Sequence, residues 1–96
     1  MKQALIDLLK NHPKASPIHG EVLCSALSIS DVKLRALINE LRIEGFPIGS
    51  TAKGYYWGYV KADLDHSIAQ LFSRVKGIAK AANGLRKARK LLPENV

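Results

Sequence analysis

The 96-residue chain has one cysteine, Cys24. A single thiol cannot close an intramolecular disulfide, which excludes the stapled, secreted class of small domains and makes an intracellular, cytoplasmic protein the expectation. Long apolar runs are missing too. The longest apolar or glycine run, Tyr55 to Val60, is far short of the roughly 20 residues that a membrane-spanning helix needs. Near the start, Asp7 separates Ala4-Leu5-Ile6 from Leu8-Leu9 and spoils a signal-peptide core, so no export signal and no membrane partner are expected. Negative charge is also scarce, with 8 Asp plus Glu against 15 Lys plus Arg and a net charge of +7. That balance points to a polyanion as partner. Length allows one domain with a short appendage, and 47% apolar content argues against wholesale disorder.

What is present reads as a succession of short elements. Leu5, Leu8 and Leu9 fall at helical spacing between Lys2 and Lys10, and Asn11-His12-Pro13 ends that helix. Residues 16–20 allow one extended stretch, and a second helix covers about Glu21 to Leu27. Ser30 suits the N-cap of a third helix from Asp31 to about Glu44, which Gly45 stops. Residues 47–51 and 55–60 are rich in β formers on either side of Ala52-Lys53-Gly54, the pattern of a hairpin. A long helix follows from Ala62 to Leu92. Asp63 and Asp65 suit its positive end, while Gly77, Asn83 and Gly84 predict fraying after about Asn83. The fold class expected is mainly α with a small β-hairpin (α+β): a winged helix-turn-helix over residues 1–60, then a long basic helix over 61–96.

On the third helix, Leu34, Leu37, Ile38 and Leu41 lie within about 60° of one another and predict the core face. The opposite side carries Val32, Arg35, Ala36 and Asn39, with Lys33 on the flank and Ile43 at the far end. Arginine can grip guanine through two acceptors, asparagine can pair with adenine, and small apolar groups can touch a thymine methyl. Ser30, Val32, Lys33, Arg35, Ala36 and Asn39 are therefore the candidate double-stranded DNA contacts on this helix, with Lys53 on the hairpin turn. Against this stands the apolar stripe of Val32, Ala36 and Ile43, which could pack on protein. Asp31 would also repel phosphate at the leading edge.

The run from Gly20 to Ser30, followed by Leu34, Ile38, Leu41-Arg42 and Gly45, with Lys53-Gly54-Tyr55 entering the last strand, resembles the N-terminal winged-helix domain of the biotin operon repressor and biotin protein ligase family. Small winged-helix proteins of bacteriophages and prophages are similar as well, including a long helix after the wing. The resemblance covers residues 3 to 60 and implies sequence-specific DNA binding in transcriptional control. By position it makes Ser30 to Arg42 the recognition helix and puts Lys53 on the wing. Two departures limit it. Ser28 stands where glycine is usual, and the biotin-binding catalytic domain is absent, so neither ligase activity nor a biotin response carries over.

Tyr55, Tyr56, Trp57 and Tyr59 gather four of six aromatics into five positions. Alternation sends Tyr55, Trp57 and Tyr59 to one side and Tyr56 to the other, with burial of one set or stacking on unpaired bases as the two explanations. In the last helix Leu64, Ile68, Leu71, Val75, Ile78, Ala82 and Leu85 form an unbroken heptad seam, expected to pair two copies as a homodimer or else to fold back on its own domain. Seven basic residues and no acidic one lie between Arg74 and Lys90. Of these, Arg86, Lys87, Arg89 and Lys90 are the expected phosphate-contacting arm. His12, His19, His66 and Cys24 lack metal-ligand spacing, and Cys24 is expected to be a buried structural thiol. No metal, no cofactor and no enzymatic activity are expected. The alternative to a DNA-binding regulator is a protein-interaction or assembly adaptor, serving replication or packaging, on the same scaffold.

Overall fold

The apolar positions of three short helices converge on one cluster. A computed structural model describes residues 1–94 and orders them as α1 (Lys2–Leu9), α2 (Gly20–Leu27), α3 (Asp31–Ile43), β1 (Ile48–Thr51), β2 (Gly54–Trp57) and α4 (Ala62–Lys90). The chain is mainly helical, with one antiparallel hairpin and a long C-terminal helix. Leu5 and Leu9 of α1, Leu23 of α2, and Leu34 and Leu41 of α3 are fully buried, joined by Leu37, Ile38, Ile48 and Trp57. Each such side chain contributes about 1.5–3 kcal/mol relative to exposure. Cys24 is half-buried rather than buried, packed on the edge of this core.

Local chemistry sets the boundaries of α3. Ser30 Oγ accepts a hydrogen bond from the Lys33 amide at 3.1 Å, closing the first turn. At the other end Gly45 adopts φ +99°, and the amides of Gly45 and Phe46 donate to the carbonyls of Arg42 and Leu41 at 3.0 Å each. This left-handed closure uses up the last carbonyls of the helix. The same device ends α2 at Ser28 (φ 53°, ψ 48°), where a side chain costs about 1–2 kcal/mol that glycine would not.

The hairpin pairs Ile48 with Trp57 and Gly49 with Tyr56. The segment before α2 covers the other edge of β2: Ile18 and Tyr55 exchange two backbone hydrogen bonds of 2.8 Å, and Trp57 donates to the His12 carbonyl. Both faces of β2 are covered as well, not one. Tyr55 and Trp57 pack on the helical core, whereas Tyr56 is fully buried against α4, its hydroxyl donating to the Asp63 carbonyl. Gly49 is required opposite that ring, since a Cβ there would sit 2.2 Å from it. Tyr59 lies beyond the strand, exposed, with its hydroxyl on the Lys10 carbonyl.

Asp63 starts α4 by accepting from the amides of Tyr59 and Val60 at 2.9 and 3.2 Å. One helical turn on, Ser67 is buried against β1. Its hydroxyl accepts from the Ser50 amide at 3.0 Å and lies 3.3 Å from the Ser50 carbonyl, occupying backbone groups that the edge strand would otherwise leave unpaired. Packing of the globular part thus continues past Val60. From Leu71 onward every described residue is exposed, and the helix runs unbroken through Asn83 and Gly84 to Lys90 where fraying was expected. The result is elongated, 56 × 31 × 23 Å with a radius of gyration of 17.7 Å, against about 12.5 Å for a compact chain of this length.

Candidate nucleic-acid interface

The packing that buries Leu34, Leu37, Ile38 and Leu41 turns the other side of α3 outward. Val32, Lys33, Arg35, Ala36 and Asn39 are all exposed, and Val32 and Ile43 reach 78%. Ser30 is exposed as well, although its hydroxyl is engaged by the Lys33 amide. Lys53 sits exposed on the turn between β1 and β2, its amide donating to Thr51 Oγ1 at 3.0 Å.

A groove lies between α3 and the hairpin. From α3 it is lined by Asp31, Arg35, Asn39 and Arg42, from the hairpin by Ser50, Thr51 and Tyr55, and from α4 by Leu71 and Arg74. The structure therefore brings Arg35 and Asn39 into one concavity, while Val32, Lys33 and Ala36 remain on the outer surface of the helix. Arg35 does not present a free charge: one of its terminal nitrogens lies 2.9 Å from Asp31 Oδ2, one turn earlier. Both side chains are well exposed, so the pair stabilises by no more than about 1 kcal/mol and can open at little cost.

Two groove residues, Arg42 and Arg74, stand outside the set read from α3 and the arm. Arg42 Nε donates to the Ile48 carbonyl at 2.8 Å and a terminal nitrogen donates to Ser50 Oγ at 3.2 Å. Burial, with the positive charge of Arg74 adding to it against the opposing influence of Tyr55, holds the Arg42 guanidinium below its ordinary value. It still stays protonated, as arginine does in proteins. A signal was present in the chain: neither arginine has a carboxylate three or four residues away.

Along α4 the heptad positions divide. Leu64 closes over Gly58 of its own chain, where a Cβ would come within 2.9 Å of the leucine methyl. Ile68 and Leu71 border an apolar groove that also includes Phe46, Pro47 and Ile48. Val75, Ile78, Ala82 and Leu85 are exposed, the three large ones by 60–73%, with Phe72 beside them. Arg86, Lys87, Arg89 and Lys90 are exposed on the last turns.

Among the described residues no group of three or more His, Cys, Asp or Glu could hold a metal ion, and no helix is long and apolar enough to cross a membrane. Comparison with protein-family models, with curated proteins and with solved structures finds no match.

Proposed function

We propose that this chain is a homodimeric winged-helix protein that binds double-stranded DNA sequence-specifically and regulates transcription, in the manner of phage or prophage regulators. The observation that carries the reading is the groove in which Arg35 and Asn39 of α3 face the hairpin beside Arg42 and Arg74. In this reading α3 enters the major groove. Arg35 and Asn39 meet base edges, Lys33 and Lys53 meet phosphates, and Val32 and Ala36 lie against thymine methyls. Asp31 buttresses Arg35 until the duplex displaces it. Arg86, Lys87, Arg89 and Lys90 add phosphate contacts that carry no sequence information.

The dimer in this proposal forms through the uncovered part of α4, with the two helices antiparallel. Parallel alignment would set the seven basic residues between Arg74 and Lys90 against the same seven of the partner, whereas antiparallel alignment overlaps those segments only near their starts. Centred on the exposed positions, it places Ile68 against Leu85, Leu71 against Ala82 and Val75 against Ile78, each contact occurring twice.

Selection of binding sites from random duplex DNA tests the function. The intact protein should enrich one pseudo-palindromic site, and replacing Lys33 and Arg35 with Ala should weaken binding to that site by tenfold or more while affecting random duplex less. Enrichment of no sequence would refute the regulator reading. The neutralising Asp31–Arg35 pair and the 78% exposure of Val32 and Ile43 favour one other reading, an assembly adaptor that offers this face of α3 to a protein. Absence of duplex binding at low salt selects it.

A further inference from the structure

Arg42 is held in place by the hairpin. Two of its five N–H donors are committed, to the Ile48 carbonyl and to Ser50 Oγ, which fixes the guanidinium plane against the edge of β1. It is half-buried, and no carboxylate pairs with it: the ion pairs among the described residues are Lys2 with Glu40 and Glu44, and Arg35 with Asp31. Its charged neighbour is a second cation. Arg74 lines the same groove from α4, and its charge is one of the influences that lower the Arg42 guanidinium. The only acidic residue lining that groove, Asp31, is engaged by Arg35.

Arg42, half-buried, and Arg74, exposed at the rim, set two like charges around one groove, and an anion bound between them would relieve their repulsion. The hydroxyls around them are suited to that anion. Ser50 Oγ accepts from Arg42, and Thr51 Oγ1 accepts from the Lys53 amide, so each hydroxyl retains its own proton to donate. A planar guanidinium, a second cation and two hydroxyl donors are the groups that recognise a tetrahedral oxyanion.

We propose that Arg42 and Arg74, with the hydroxyls of Ser50 and Thr51, form a phosphate-binding cleft that grips one backbone phosphate of the bound duplex. The proposal rests on the DNA-binding reading and deepens it. It assigns α4 a place in the interface itself: the helix touches the duplex at Arg74, so its basic stretch begins at the nucleic acid rather than away from it.

The test uses the full chain and two probes. In ¹H–¹⁵N spectra of the arginine Nε groups, inorganic phosphate at low ionic strength should shift the Arg42 signal, while chloride at equal ionic strength should not. Arg74→Ala should weaken that phosphate response at least fivefold. It should also lower the slope of log affinity against log salt for mixed-sequence duplex by about 0.9, the value of one phosphate contact. Arg74→Glu should pair with Arg42, abolish the response to phosphate and raise the thermal midpoint, a result that a merely destabilised protein cannot give. An Arg42 signal indifferent to phosphate, or an unchanged salt slope in Arg74→Ala, would overturn the cleft even if duplex binding and sequence preference persist. A phosphate response in a protein that binds no duplex would uphold the anion site and refute the DNA reading.

Discussion

The two parts of α4 carry one heptad pattern and meet opposite surroundings. Up to about Leu71 the helix is part of the globular unit: Asp63 in its first turn holds the Tyr59 and Val60 amides, Leu64 closes over Gly58, and Ser67 bonds the backbone of Ser50 while Tyr56 fills the space beneath. Beyond Leu71 the same periodicity continues, with Val75, Ile78, Ala82 and Leu85 facing solvent. The difference shows that a heptad marks an apolar face without naming what covers it. The occupant is decided by where the helix leaves its own domain, and α4 outlasts β1 by about five turns. An isolated helix of that length is marginal in water, the more so with Gly77 and Gly84 in it, so the proposed dimer would give its distal part the cover that the proximal part already has.

The strongest way to break this contrast is to remove the anchor of the proximal part. Tyr56→Ala should destabilise the protein by about 3–5 kcal/mol, as for other large buried aromatics, with a matching fall in the urea midpoint. On the distal part, Ile78→Ser should leave the globular unit intact. It should weaken self-association instead, by about 1.5–3 kcal/mol for each isoleucine no longer buried, or tenfold and more in dissociation constant by sedimentation equilibrium. A concentration-independent monomer mass in the unmodified protein would refute the dimer outright. Ser67→Ala sharpens the comparison at its boundary. The Ser50 amide loses its acceptor there, at a cost of about 1–3 kcal/mol, and amide exchange should accelerate at Ser50 but not along Val75 to Leu85.

Much of the architecture could be read from residue order because it is encoded locally. The core stripe of α3 follows from helical spacing, and Ser30 and Gly45 act within three or four residues of themselves. The hairpin was announced by Ala52-Lys53-Gly54 between β formers. What escaped was tertiary. Ser67 reaches back seventeen residues to Ser50, and Arg42 satisfies a strand edge, with no periodicity to mark either. Two-sided coverage of β2 was missed for the same reason, since alternation describes a strand with one wet face and not one enclosed by helices on both. On the candidate interface, exposure of Val32, Lys33, Arg35 and Asn39 was legible from the helical wheel. The groove that joins α3 to Arg74 was not, because it arises only where α4 crosses beside the hairpin.

The length of α4 has a geometrical meaning in the proposed dimer. In the antiparallel register set by the exposed seam, the Leu64 ends of two helices stand about 25 residues apart, or roughly 38 Å at 1.5 Å per residue. The helix is then a ruler: adding one heptad to its distal part would push the two reading heads apart by roughly 10 Å and change the spacing of half-sites they can span, while leaving each head's sequence preference untouched.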